Sequence, residues 1–294
     1  KLRVRVGKFK SPLGLERLQS ATATAFVERA FPTLLVPNRD VGIQVHGELA
    51  EGVFSYAAAL VDGAIDGGSA DSDLNDAKDV AGRVFVSPFK KGSSALKGLG
   101  LGIAGSTGRQ SGPLPAYRSG GQISVITILA GITADGTRTR YVPQLSYYGG
   151  PVGVLAEYAA SNSRLKKPDE TRVDLEARAW QVTATVALTG DKAAYSGVRP
   201  ARPFDPAKGQ WGALELAARV HKLELSAESL EAGIVDPDRS VREMTAWGLG
   251  LTWTLTRNIR QYADFDHVSF KGGAPQGADR EAENVFFIRT QLSF

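Results

Sequence analysis

Strict alternation of apolar and polar side chains is the feature that most limits how this chain can fold. A period of two marks strands that show one face to an apolar medium and the other to water. Leu2, Val4 and Val6 alternate with Arg3 and Arg5, and Val41, Ile43, Val45 and Leu49 with Gln44, His46 and Glu48. Trp247, Leu249, Leu251, Trp253 and Leu255 alternate with Gly248, Gly250, Thr252 and Thr254. No stretch of apolar residues is long enough for a membrane-spanning helix. A slightly negative mean hydropathy does not argue against a membrane, because alternating strands average out.

Counting such segments predicts about 12 strands, most of them longer than is usual in a soluble sheet. They fall at residues 1–8, 40–50, 53–62, 79–88, 95–106, 138–148, 152–160, 172–188, 212–225, 247–255, 259–270 and 286–294. The apolar set of 172–188 changes face near Trp180, which predicts a bulge or a hidden turn. Short turns at 50–52, 149–151 and 256–258 alternate with long polar connections at 63–77, 107–136, 161–171, 226–241 and 271–282. Short turns at one end and long loops at the other distinguish transmembrane barrels from sandwiches. Two segments fit this scheme less well: 189–208 becomes a long link at the short-turn end, and Gln122–Ala130 reads as an apolar strand inside a loop. Aromatic residues near strand ends, at Tyr147, Tyr148, Phe270 and Phe294, read as an interfacial girdle. The fold class is therefore all-β, a transmembrane antiparallel β-barrel, as one domain over 1–294.

Between the first two strands, Val6–Pro37 has no period and carries Lys8, Lys10, Arg17 and Arg29 with three prolines. Loops of this length are uncommon in compact domains unless functional. Residues 11–39 are read as a loop folded into the lumen that sets what passes. The net charge of +4 is spread along the chain rather than massed, which gives nucleic-acid binding little support. With no cysteine, thiol catalysis, zinc thiolate sites and disulfides are excluded.

GKFKSPLGLERL, followed by AFVERAF and NRDVGIQVHGEL, resembles the phosphate-selective porin O/P family of Gram-negative outer membranes. Tyr147-Tyr148-Gly149-Gly150-Pro151 leading to Glu157-Tyr158, Ala187-Leu-Thr-Gly-Asp191, Gly212-Ala-Leu-Glu-Leu-Ala-Ala-Arg219, Leu249-Gly-Leu-Thr-Trp-Thr-Leu-Thr-Arg-Asn258 and the terminal Phe294 agree, in family order. The family's usual LTGE reads LTGD here. The resemblance implies a 16-stranded outer-membrane barrel, usually a homotrimer, that conducts phosphate-like anions. Its expected surroundings are the lipid bilayer and lipopolysaccharide. About four N-terminal strands would then precede Lys1, which makes 11–39 the third external loop.

An anion path needs cations that hold the ion weakly and hand it on. Arg3/Arg5 and Arg138/Arg140 are i, i+2 pairs that share a face ~6.5–7 Å apart. With Lys8, Lys10, Arg17 and Arg29 they are the expected anion-binding residues. Asp264 and Asp266 are the counter-argument, since lumen carboxylates favour cations. No cofactor, metal site or catalytic residue is expected. His46, His221 and His267 lie on separate strands, and Asp71, Asp73, Asp76 and Asp79 lack a calcium-loop pattern. The rival readings are a structural barrel subunit within a larger envelope assembly and an outer-membrane enzyme of the lipase type.

Overall fold

In the computed structural model, which describes residues 2–71 and 76–293, the alternating segments become one antiparallel meander. Its strands are β1 (Leu2–Phe9), β2 (Asp40–Leu49), β3 (Phe54–Val61), β4 (Asp79–Val86), β5 (Leu99–Gly112) and β6 (Thr133–Gly149). They continue as β7 (Val152–Lys166), β8 (Arg172–Ala187), β9 (Ala213–Leu225), β10 (Val241–Thr254), β11 (Ile259–Gly272) and β12 (Glu283–Leu292). Among the described residues there are 12, each overlapping a segment that the alternation picks out. Every strand pairs with its sequence neighbour, but β1 pairs only with β2 and β12 only with β11, so the sheet is open. Lys1, Asp73 and Phe294 lie outside the described residues.

One face of the sheet carries Leu2, Val4, Ile43, Val84, Ile103, Val182, Leu249, Leu251, Phe286 and Ile288, all exposed. A continuous apolar surface of this extent belongs against lipid. The same face carries Tyr141, Tyr158, Trp180 and Trp247, in neighbouring register across β6 to β10, with Tyr158 opposite Trp180. This is the aromatic row of the sheet. Tyr148 and Phe270, expected in such a girdle, instead face inward: Tyr148 meets Tyr195, and Phe270 is buried under Arg280. Tyr147 keeps its outward parity and donates its hydroxyl to the Ala95 carbonyl.

The bulge expected near Trp180 is absent, because β8 runs in unbroken register with β7 from Arg172 to Val186. Its apolar set changes face for another reason. Toward the long-connection end, Leu175, Ala177 and Ala179 point inward and join an apolar cluster with Leu13, Phe31, Leu35 and Val36 of the β1–β2 connection. Beyond Trp180 the inward residues are Gln181 and Thr183, while Trp180 and Val182 turn to the lipid side. The lumen is thus apolar where the chain fills it and polar elsewhere.

The apolar run 122–130 is a connection rather than a strand, buried only at Val125 and Ile126. Val125 and Ile126 enter the same cluster, and its backbone bonds to the β9–β10 connection through Leu129 N–H to Ile234 O at 3.0 Å and Asp236 N–H to Thr127 O at 2.9 Å. The link 188–212 also turns inward at the opposite end. Tyr195 donates to the Leu15 carbonyl at 2.5 Å, and Arg260 holds the Val198 carbonyl at 2.9 Å.

Candidate functional site

The connection after β1 is latched to inward residues of β7, β8, β9 and β11. At its start Gly14 holds φ +73°, where an added Cβ would stand 2.9 Å from Val36 Cγ2. The one-turn helix Leu15–Leu18 follows, and the N–H groups of Leu15 and Glu16 donate to the Glu157 carboxylate of β7 at 2.5 and 3.2 Å. Gln181 of β8 donates from one amide nitrogen to both Glu157 at 2.8 Å and Glu16 at 2.9 Å. Further on, Arg219 of β9 stacks on Phe26 and donates to the Glu28 carbonyl at 2.8 Å and to Asp266 of β11 at 2.9 Å. Asp264 accepts from the Val27 N–H, and His221 Nδ1 accepts from the Phe31 N–H at 3.2 Å, with the two rings 4.0 Å apart.

Because Gly14 supplies a left-handed backbone that an L side chain resists, Gly14→Ala is expected to destabilise the chain by ~1–2 kcal/mol. Denaturant unfolding in detergent checks this. A midpoint equal to wild type would show that the turn relaxes without cost.

These latches settle the place of two acidic residues. Asp264 and Asp266 are buried and spent on Val27 and Arg219, so they set up no transverse field in the open space. The loop cations are held differently. Lys10 donates to the Gln19 carbonyl at 2.6 Å, Arg29 to the carbonyls of Gln19 at 2.9 Å and Glu16 at 3.3 Å, and Arg17 to that of Thr33. Among the described residues none of the three forms an ion pair with a carboxylate. Their mutual repulsion shows in Lys10: burial, then the charges of Arg29, Arg39 and Arg17, push its ammonium down to about 8. Arg17 is lowered as well, by burial and by Arg29.

Two cavities meet this loop. One, of about 520 Å³, opens toward the short-turn end and includes Arg3, Arg5, Lys10, Gln44, His46 and Arg83 in its lining. The other, of about 390 Å³, opens toward the long-connection end and is lined by Arg17, Arg29 and Arg118 beside Glu28 and Asp66. The first also holds Glu48 and Glu51, so its wall carries four guanidinium or ammonium groups against two carboxylates. Arg3, Arg5 and Lys10 thus line the first cavity, and Arg17 and Arg29 the second. Arg83 lines the first and Arg118 the second as well, and Arg39 shares a further recess with Arg5 and Lys10; none of these three was expected. The parity of Arg83 on an alternating strand was readable, but it stands alone, without an i+2 partner.

Three expected residues are elsewhere. Arg138 and Arg140 face inward but are 4% exposed and bound by acids. Arg140 meets Asp66 at 2.6 Å and Asp79 at 2.9 Å, and Arg138 meets Asp79 at 3.1 Å and the Gly63 and Ala64 carbonyls at 3.0 and 2.9 Å. The β3–β4 connection folds inward and neutralises them, so they are structural ties and not rungs of a ladder. Lys8 has the outward parity of Val4 and Val6 and pairs with Asp71.

The family model for phosphate-selective porin O and P matches residues 1–294. A search of curated proteins returns no match. Among solved structures, the outer membrane channel DcaP of Acinetobacter baumannii is similar at a TM-score of 0.61 and 10% identity, over 99% of this chain and 71% of that one. Outer-membrane expressed OmpT of Vibrio cholerae is similar at a TM-score of 0.57 and 14% identity, over 99% and 76%. OmpT in its trimer form gives a TM-score of 0.54 at 13% identity, over 98% and 76%. At these identities the likeness is one of fold.

Proposed function

Because the chain belongs to the phosphate-selective porin O and P family of Gram-negative outer-membrane porins, we propose that its inward cations choose small anions for passive diffusion. The observation that carries this reading is the cluster of Lys10, Arg17 and Arg29 on cavities at both sides of the loop, where burial and then the charges of Arg29, Arg39 and Arg17 lower the Lys10 ammonium. Such sites attract an anion yet release it, because Lys10, Arg17 and Arg29 each keep a carbonyl to return to. In planar bilayers, reversal potentials under a salt gradient should favour anions, and phosphate should block chloride current. Cation-selective currents would sink the reading.

The open edges of β1 and β12 support a larger barrel. An unpaired edge cannot face lipid, and we propose that further strands complete a 16-stranded wall with 11–39 as its constriction loop. By the usual arrangement of outer-membrane barrels the short turns face the periplasm. We propose a homotrimer, which the family resemblance supports and with which the trimer form of OmpT is in keeping. A passive pore of this kind catalyses no reaction. A second reading, a structural barrel in a larger assembly, draws on the apolar cluster that fills the β6–β11 side of the lumen. Absence of conductance together with a stable hetero-complex would favour it.

The depressed Lys10 gives the pore a pH dependence with a defined sign. Below pH 7 the ammonium is charged; above about 8 it is neutral while the arginines stay charged. Anion preference should therefore weaken between pH 7 and 9, whereas Lys10→Arg should hold it flat across that range. Reversal potentials that do not change with pH in wild type would contradict this.

A further inference from the structure

Strands β6 to β8 are taller than the apolar band they cross. β6 has 17 residues, which at ~3.3 Å each and a ~45° tilt climb about 40 Å against a band of ~25 Å. The surplus stands at the long-connection end, where outward residues change character. Above Tyr141 come Thr139 and Thr137, above Tyr158 come Asn162 and Arg164, and above Trp180 come Arg178 and Asp174.

On this outer wall, beyond the aromatic row and away from the lumen, a pocket of about 470 Å³ gathers Arg109, Arg164 and Arg172 with Asp135, Asp174 and Asn162. A bulge builds it. The β6–β7 register slips between Ala134 and Arg138, and bulges re-aim side chains in this way. Asp135 reaches Arg172 at 3.0 Å. Gly136, at φ +143°, leaves room for the Arg164 stem, whose Cγ would lie 2.7 Å from an added Cβ. Asp174 then fixes the Arg164 guanidinium through contacts of 2.6 and 3.3 Å. Among the described residues, Arg109 pairs with no carboxylate. Three guanidinium groups against two carboxylates leave a net positive pocket with its donors oriented in advance.

We propose that this pocket binds the phosphorylated headgroup of an outer-leaflet glycolipid. Guanidinium forks match phosphate oxygens in pairs. Tyr and Trp side chains mark the depth of lipid headgroups, and the pocket lies directly beyond their row. Opening sideways, it lets acyl chains descend over Tyr141, Ile103 and Val182, the exposed apolar face. A free anion on its way to the pore has no need of a site on the lipid side. The proposal rests on the orientation given above, with the long connections outside the cell.

The test uses the full chain in detergent, mixed with diphosphorylated lipid A, and native mass spectrometry to count adducts. Wild type should hold one lipid A per chain. Arg109→Glu should lower that occupancy at least tenfold, and Gly136→Val should do the same by pushing the Arg164 stem out of its place without changing any arginine. Heat-modifiable gel migration verifies folding, and Arg109→Glu alone decides if the valine variant does not fold. Reversal potentials should stay at wild-type values in Arg109→Glu, so a failed lipid site and a failed pore reading give different results. Occupancy that survives Arg109→Glu overturns the proposal. So does phosphatidylcholine binding equally well, or millimolar inorganic phosphate displacing lipid A, which would make the pocket a general anion site.

Discussion

Arg140→Ala should destabilise the chain by ~3–5 kcal/mol, the usual cost of removing one partner from a buried ion pair. The Arg140 guanidinium meets Asp66, Asp79, the Ser106 hydroxyl at 3.1 Å and the Ala64 carbonyl at 2.8 Å, with almost no exposure to share the charge. Without it, among the described residues Asp66 keeps the Ser161 hydroxyl at 2.5 Å alone, and the inward fold of the β3–β4 connection loses its main tie. Arg140→Lys should fall between, since an ammonium keeps the charge but not the fork. Denaturant unfolding in lipid measures both. A loss under ~1 kcal/mol for the alanine variant would show that the network is dispensable. Folded Arg140→Lys protein should also keep its anion preference, because the charge lies out of the path. If that preference drops sharply, the residue belongs in the ladder after all.

The second large effect is on selectivity. Lys10→Glu changes the local charge by two units beside both the loop and the Arg3/Arg5 cavity. A unit charge ~5 Å from a passing ion is worth ~1–3 kcal/mol at effective dielectric constants between water and a protein surface. The anion-to-cation permeability ratio should therefore fall by at least about tenfold. Lys10→Ala should move the logarithm of that ratio about half as far. Bilayer reversal potentials under a salt gradient give the number directly, and values equal to wild type for both variants would remove Lys10 from the path.

The strands were legible in the sequence because the lipid and the lumen impose their difference on every second residue, independently of what fills the lumen. That is why Arg3 and Arg5 could be placed on one face from parity alone. Pairing was not legible. Whether an inward arginine is a free cation or a buried tie depends on which connection folds over it. Nothing local to Arg138 and Arg140 announces Asp66 and Asp79, roughly sixty to seventy-five positions away in the chain. The false bulge at Trp180 has the same origin: Leu175, Ala177 and Ala179 look misfaced until Phe31 and Leu35 are laid against them. Lys8 was misplaced more simply, by reading a strand residue as part of the loop that follows it.

The apolar filling of the β6–β11 side has a consequence for the field an ion feels. With Leu13, Phe31 and Leu35 buried between loop and wall, the larger of the two cavities is left against β1–β4, and Phe31, Leu34 and Ile65 line the other. A medium of low polarisability beside a narrow aqueous lane concentrates field lines into the lane. Each cation there acts across less screening water than it would on an open surface, where salt at 1 M shortens the reach of a charge to ~3 Å. The preference for anions should accordingly persist into salt concentrations that would silence the same charges on an external loop.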